Sequence, residues 1–205
     1  EMEPTLFTQI SGHDIEAFSA AAKSMKTLQL ANGAAYLEKD ESKPHEERRW
    51  VEVHDVKLQA LQSVVNEAAG MPLLVAYQFK SDLVRILKSF PGAVDISKPA
   101  GMKTFKEGRA IIGAAHPKSM GHGINDLEKV TNLIAFFGHW WDLEQYMQII
   151  GRIGPVRQKQ AGLNRPVFVY LILARDTVDE DVQLRRTTRR AVQDILLESL
   201  KRRTK

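Results

Sequence analysis

The sequence predicts an α/β fold: a doubly wound, mostly parallel sheet over residues 51–205, preceded by an N-terminal helical extension and linker over residues 1–50. Two observations predict it. Short apolar runs of strand length alternate with amphipathic helical patterns, and strands separated by helices favour a parallel sheet that is covered on both faces. In addition, a chain of 205 residues is long enough to bury a substantial core.

Apolar periodicity places the individual elements. A three-to-four spacing predicts a helix from Asp14 to Leu28, and the charged segment 38–49 predicts an exposed loop. A second helix is predicted from Val53 to Val65, with Gly70 as its C-cap. Further strands are predicted at 73–77, 93–95, 110–115, 132–137 and 166–173, and further helices before Pro91, at 99–106, at 142–153 and at the C-terminal end.

The composition excludes several classes of protein. Because the chain has no cysteine, neither a disulfide nor a thiolate zinc site can hold the fold. No apolar run approaches the ~20 residues that a membrane helix needs. The first residues are also unlike a secretory signal. We therefore expect no membrane partner and a cytoplasmic localisation.

A glycine-rich loop follows the predicted strand 110–115. Within residues 116–125, Gly121 and Gly123 flank a single residue, and such glycines let backbone amides approach a phosphate. The polar side chains of the loop include Lys118, Ser119, His122 and Asn125. A purely structural loop is the alternative, since the spacing matches neither a P-loop nor a dinucleotide fingerprint.

A second candidate site lies on the predicted helix 142–153. Gln148 and Arg152 are four residues apart and share one helix face. Pro155 disfavours a helical conformation at the preceding residue, so we predict that the helix ends there and leaves Arg157 on a loop. Two guanidinium groups suit a triphosphate because they stay charged and donate forked hydrogen bonds. Solvated arginines that pair with the helix dipole are the alternative.

The Walker A and Walker B motifs, which bind nucleotide phosphates and magnesium, are missing from the sequence. There is no G-x-x-x-x-G-K-[ST] run, and no Asp-Glu pair closes an apolar strand in the manner of a Walker B motif. We infer that this chain cannot bind ATP and magnesium in the ordinary way by itself. Since the sequence begins with Glu1, we expect a longer parent polypeptide.

In this order, several segments resemble the second RecA-like lobe of Swi/Snf-type superfamily-two motors, in particular the short versions of phages and bacteria. The segments are His54–Leu58, Val75–Asp82, Ser119–Asn125, Trp140–Gln145, Gln148 with Gly151 and Arg152, and Asp176–Glu180. The order of these motifs is more specific than any one of them. The resemblance implies a RecA-like helicase lobe without the first lobe, which binds the nucleotide.

The resemblance also implies roles for individual residues. Arg152 would act as an arginine finger on the γ-phosphate of ATP, with Arg157 as the second finger because Pro155 occupies the usual position. Gln148 would be a catalytic residue of the same motif. The ATP cleft would be lined by Gly121, Gly123, Asn125 and Gly151. The sugar-phosphate backbone would be contacted by Gln78, Lys80, Lys118, Ser119 and His122. ATP and Mg²⁺ would be held mainly by the absent first lobe.

Two functions follow as hypotheses. The leading one is the second motor lobe of an ATP-dependent DNA translocase or helicase, whose partners are a first RecA-like lobe and DNA. That DNA would be double-stranded and bound without sequence specificity, and the isolated chain would be inactive as an ATPase. The alternative is a stand-alone α/β nucleic-acid-binding module without nucleotide chemistry. Trp140 and Trp141 fit either stacking on a base or burial against the sheet.

Overall fold

The computed structural model describes residues 6–10, 13–17, 20–38, 48–120 and 125–188. The chain divides into two compact units. One unit is Lys57–Leu173, and the other joins Glu1–Val56 with Ala174–Lys205. Within the described ranges, no helix combines the length and apolar character needed to cross a membrane. The predicted division at residue 51 stays a prediction.

The elements follow one another in chain order. The strands are β1 Leu6–Ile10, β2 His13–Ala17, β3 Ala34–Tyr36, β4 Trp50–Glu52, β5 Leu73–Ala76, β6 Val94–Asp95, β7 Ile112–Ala115, β8 Leu133–Phe136 and β9 Phe168–Leu171. The helices are α1 Ala20–Asn32, α2 Val56–Glu67, α3 Lys80–Ser89, α4 Pro99–Lys106, α5 Leu127–Val130, α6 Leu143–Ile153, α7 Pro155–Gln160 and α8 Val178–Thr188. A 3-10 turn occupies Pro117–Met120.

The central element of the Lys57–Leu173 unit is a five-stranded sheet with the order β6-β7-β5-β8-β9. All four pairings between neighbouring strands are parallel. Parallel strands need crossover connections, and helices provide them here. The predicted α/β class with a doubly wound parallel sheet is therefore confirmed.

Helices cover both faces of this sheet. Alternate side chains of β5 point to opposite faces, so Leu73 and Val75 join one core while Leu74 and Ala76 join the other. The first core contains side chains from α2 and α3, such as Leu61 and Ile86. The second core contains side chains from α4, α5 and α6, such as Phe105, Leu127 and Ile149. Burying each large apolar side chain contributes about 1.5–3 kcal/mol.

The N-terminal helical extension was predicted incorrectly in part. The predicted helix was to begin at Asp14, but His13–Ala17 form a strand that pairs antiparallel with Leu6–Ile10, and the helix begins only at Ala20. Likewise, Ala34–Tyr36 and Trp50–Glu52 form an antiparallel pair at the two ends of the predicted loop, of which residues 39–47 lie outside the described ranges. Strand pairing supplies partners for backbone groups that local periodicity does not reveal.

Candidate functional site

The first group of candidate residues lies at the carboxyl ends of three neighbouring strands. Ala76, at the end of β5, lies opposite Ala115 of β7 and Phe136 of β8. The loops that follow these strands therefore begin next to one another. In an open parallel sheet this edge is the usual place for a ligand.

A buried carboxylate fixes the β5–α3 turn. Asp82 is fully buried and accepts, through Oδ2, the backbone N–H groups of Gln78 at 3.2 Å and Phe79 at 2.9 Å. These bonds stabilise the start of α3, where backbone amides have no partner within the helix. Lys80, the first residue of α3, is exposed, and Gln78 is half-buried. The turn thus places both predicted residues at the carboxyl edge.

His116 organises the turn after β7. Its carbonyl oxygen accepts the N–H of Ser119 at 3.0 Å and the hydroxyl of Ser119 at 2.7 Å. Its ring nitrogen Nδ1 accepts the N–H of Lys118 at 3.1 Å. The Ser119 hydroxyl is therefore engaged within its own turn, whereas the Lys118 side chain is exposed.

The His116 ring also contacts the neighbouring strand end. Its Nε2 lies 3.0 Å from the carbonyl oxygen of Gln78. Because Nδ1 accepts a hydrogen bond, Nε2 carries the proton and donates it. Burial lowers the pKa of His116 against the opposing effect of the Gln78 contact, and the charge of Lys118 adds to the lowering. The ring is thus neutral and joins two turns.

Tyr77 belongs to the core beneath this edge. Its side chain is 6% exposed, and its ring meets that of His116 edge-on with the centroids 5.6 Å apart. Burial raises the pKa of Tyr77 to about 12, and the carboxylates of Asp95 and Asp82 add to the rise. The hydroxyl therefore stays protonated at neutral pH, so Tyr77 packs rather than serving as a base.

The aromatic residues after β8 are also packed. Trp140 is 6% exposed, and its ring lies 5.7 Å from that of Phe136, which in turn lies 4.7 Å from the ring of Tyr146. Trp140 is therefore buried against the sheet and is not available to stack on a base. Trp141 is half-buried.

The glycine-rich loop is described only at its two ends, and the predicted residues Gly121, His122 and Gly123 lie outside the described ranges. Asn125 is exposed. The neighbouring Asp126 forms an ion pair with Lys129 at 2.8 Å. This pair lowers the pKa of Asp126, and the charges of Lys106 and Arg157 contribute further. The positive charge of Arg157 thus favours the ionised form of Asp126, which lies at the end of this loop.

Helix α6 matches its prediction and carries the second group of candidates. Asp142 caps it by accepting the N–H groups of Glu144 at 2.9 Å and Gln145 at 3.2 Å. Gln148 is exposed, and its amide donates to the Glu144 carboxylate at 3.0 Å. Gly151 is exposed, and Arg152 is half-buried in the last turn.

The predicted position of Arg157 on a loop is wrong. Gly154 is extended, with φ −62° and ψ 168°, so α6 ends as expected. A new helix, α7, begins immediately at Pro155 and carries Arg157 in half-buried form. Proline is well suited to the first position of a helix because its fixed φ is helical and its missing N–H is not needed there.

The two groups of candidates lie toward opposite edges of the sheet. Six residues separate the end of β8 from the start of α6, which runs back along the sheet, so Arg152 is about 15 Å along the helix axis from Asp142. The buried amide of Gln158 donates to the carbonyl oxygens of Ile153 at 3.0 Å and Thr131 at 3.1 Å. Thr131 directly precedes β8, so the α6–α7 junction lies at the amino edge.

The predicted site residues are therefore not gathered in one cluster. Gln78, Lys80, Lys118 and Ser119 meet at the carboxyl edge. Arg152 and Arg157 lie near the amino edge, and Gln148 lies between the two groups on α6, which packs against the 3-10 turn. Among the described residues, no group of three or more His, Cys, Asp or Glu side chains is arranged to hold a metal ion.

Comparisons with known proteins give one extended match. No family model matches the chain. Protein p41 of Acyrthosiphon pisum secondary endosymbiont phage 1 is 50% identical over 202 residues, which are 98% of this chain. The chain spans 42% of the length of that relative.

Among solved structures, the SWI2/SNF2 ATPase core domain of Sulfolobus solfataricus is 22% identical with a TM-score of 0.45, over 68% of this chain and 30% of that one. A likeness of this extent assigns no function.

The sequence pattern did not reveal the importance of His116. Its place directly after an apolar strand was visible, but its contact with Gln78 depends on β5 and β7 being neighbours in register. The signal that could have indicated it is the rule that polar residues following parallel strands meet at one edge.

Proposed function

We propose that this chain is the second motor lobe of an ATP-dependent DNA translocase or helicase of the Swi/Snf type. In this proposal, ATP binds to a first RecA-like lobe, and the present chain completes the cleft from the side of α6. The parallel sheet and the order of the motifs both support a RecA-like lobe. The isolated chain is then expected to hydrolyse no ATP.

The observation that carries the proposal is the open outer face of α6. Residues Glu144, Met147, Gln148 and Gly151 are exposed and follow one another at helical spacing. Met147, an apolar residue, is 54% exposed. Among the described residues, a Cβ placed on Gly151 would have no neighbour within 4 Å beyond the backbone of its own helix. A helix face of this kind permits close approach by another group. Arg152 directly follows Gly151, where the backbone of α6 is open.

The chemistry proposed for this face is stabilisation of charge. ATP, when bound, supplies the phosphoryl group and its accumulating negative charge. Arg152 would donate guanidinium hydrogen bonds to γ-phosphate oxygens, and Gln148 and the open backbone at Gly151 would leave space for them. Arg157, on α7, is the proposed second arginine. Mg²⁺ would be held mainly by the first lobe and by the phosphates.

The carboxyl edge is the proposed DNA-binding surface. Lys80 and Lys118 are exposed there on adjacent turns, with Gln78 and Ser119 beside them, and His122 belongs to the same loop sequence. Lysines and short polar side chains bind phosphates without reading bases. We therefore propose binding to double-stranded DNA that is insensitive to sequence and weakens with added salt.

The decisive experiment is Arg152→Ala in the complete protein. We expect DNA-stimulated ATP turnover to fall by about 10³-fold or more, because an arginine finger contributes 10³–10⁵ in related systems. DNA affinity should change by less than about twofold, since Arg152 lies near the opposite edge. The matched control is Arg109→Ala, which removes an exposed arginine paired with Glu107 and should leave turnover unchanged.

Three outcomes distinguish the hypotheses. Loss of turnover with retained folding and DNA binding supports the motor lobe. Normal turnover in the Arg152→Ala protein would contradict the proposed role of that residue. Tight DNA binding without any ATP turnover in the complete wild-type protein would instead favour the stand-alone binding module.

A further inference from the structure

The β5–α3 turn and the 3-10 turn after β7 are joined by a different kind of hydrogen bond than the strands that precede them. The backbone ladder between β5 and β7 finishes with the N–H of Tyr77 donating to the carbonyl oxygen of Ala115 at 3.0 Å. Beyond that bond, the link is the His116 ring, whose Nε2 donates to the Gln78 carbonyl at 3.0 Å. A side chain therefore continues the ladder into the two turns.

Each side of the ring is tied to a different turn. Nε2 holds the β5–α3 turn, which presents Lys80, and Nδ1 accepts the N–H of Lys118 in the 3-10 turn. The ring is also packed edge-on against the buried Tyr77. A rigid ring that is held at three points fixes the distance between the turns far better than a flexible side chain would.

We propose that His116 is a positioning residue: it locks the β5–α3 turn and the 3-10 turn into one arrangement, so that Lys80 and Lys118 engage phosphates of the same nucleic-acid strand. That the strand is DNA rests on the proposed function, whereas the coupling of the two turns does not. His116 itself is half-buried and both its ring nitrogens are engaged, so it acts through its neighbours.

The arrangement requires the neutral ring with the proton on Nε2. A doubly protonated ring would direct an N–H group against the N–H of Lys118. The charged and titratable groups around it are Lys118 on its own turn, Tyr77 at the end of β5, and Asp82 and Asp95, which are close enough to Tyr77 to raise its pKa. Among these, Lys118 lowers the pKa of His116 through its charge.

His116→Gln and His116→Asn form a matched pair of variants. The glutamine amide places an N–H donor near the position of Nε2 and can keep the bond to Gln78. The asparagine amide places its oxygen near the position of Nδ1 and can keep only the bond from Lys118. Neither variant has a ring to pack against Tyr77, so the difference between them isolates the bond that joins the turns.

The first measurement is structural and needs no DNA. Nuclear magnetic resonance of the complete protein should show the Nε2–H tautomer for His116. The amide signals of Gln78, Phe79 and Lys80 should shift in His116→Asn and remain near their wild-type positions in His116→Gln. An Nδ1–H tautomer, or equal shifts in the two variants, would overturn the coupling of the turns.

The second measurement is affinity for a short DNA duplex over a range of salt concentrations. His116→Asn should weaken binding by about three- to tenfold, as expected for the loss of one organising hydrogen bond. The slope of log affinity against log salt should fall by about 0.9 for each phosphate that the variant no longer neutralises. His116→Gln should stay within about twofold of wild type, which a merely structural role of the imidazole ring would not give.

The two measurements distinguish the failure of this inference from the failure of the proposed function. If the wild-type protein binds no duplex, the proposed function fails, and the resonance data still decide whether His116 couples the turns. If wild type binds and His116→Asn has an unchanged salt slope, the positioning role is wrong. Weakening of both variants to the same extent, with folding intact, would also contradict it.

Discussion

Helices α4 and α6 cover the same face of the sheet, and each contains one glycine, but the two glycines have opposite surroundings. In α4, a Cβ on Gly101 would overlap the backbone oxygen of Asp95, so the missing side chain lets α4 lie directly against β6. In α6, a Cβ on Gly151 would meet no atom of the described ranges within 4 Å outside its own helix backbone. One glycine is needed for packing, and the other is not.

The difference between the two glycines distinguishes a helix surface that is used for packing from one that is open to another molecule. Glycine in a helix destabilises it by about 0.5–1 kcal/mol relative to alanine. At Gly101 the close approach to β6 offsets that cost. At Gly151 no neighbour within the described part of the chain does so, and the proposed function would account for this glycine by the close approach of an ATP phosphate to α6.

The largest effect in this comparison is expected for Gly101→Ala. The new Cβ would force α4 away from β6 or distort the Asp95 backbone, and overpacking of this kind destabilises by about 1–3 kcal/mol. The melting temperature should fall by about 2–12 °C, because 1 kcal/mol corresponds to roughly 2–4 °C in a chain of this size. Thermal unfolding followed by circular dichroism measures it, and an unchanged midpoint would contradict the packing argument.

Gly151→Ala is the matched substitution on α6 and should have the opposite effect on stability. We expect the free energy of unfolding to rise by about 0.5–1 kcal/mol, because alanine is the better helix former and meets no neighbour. DNA-stimulated ATP turnover in the complete protein should nevertheless fall about tenfold or more, since a methyl group would displace a closely approaching phosphate. If turnover is retained in the more stable variant, the open face of α6 has another explanation.

The smallest effect is expected from the protonation of His116, at the carboxyl edge. Its folded pKa lies below the ordinary value of about 6.5, so the unfolded chain binds the proton first as the pH falls. The stability that depends on the neutral ring is therefore complete above about pH 6.5 and decreases as the pH falls through the lowered folded pKa.

His116→Gln cannot take up this proton, so its unfolding free energy should depend less on pH than that of wild type. Denaturant titrations of both proteins between about pH 7 and pH 5 measure the difference. Because the other five histidines are common to both proteins, parallel curves would show that the ring is not held neutral.

Much of the sheet was predictable because its signals are local. Helix α4 has the predicted bounds 99–106, since Pro99 is suited to a first helical position and Phe105 completes an apolar face. The strand at Leu73–Ala76 was predictable because a run of apolar residues suits a strand that is buried on both faces. The helix ending at Ile153 was predicted from Asp142 and Pro155 in the same way.

The errors occurred where a local rule has two outcomes. Pro155 ends one helix, as predicted, but it equally begins the next, and that placed Arg157 on α7 rather than on a loop. The helical spacing predicted from Asp14 to Leu28 begins inside His13–Ala17, yet that segment is a strand paired with Leu6–Ile10. Pairing between separate segments depends on geometry that a short window of sequence does not contain.

The sequence by itself determined the fold class, the order of the strands along the chain and the types of side chain available at each strand end, because apolar periodicity and helix-terminating residues act over a few neighbouring positions. Only the tertiary structure decided which of these ends meet. Placing β5 between β7 and β8 brings His116 to Gln78, while the length of α6 carries Arg152 away toward the opposite edge. Distances between segments far apart in the chain follow from strand order and register, which are settled by packing of the whole sheet.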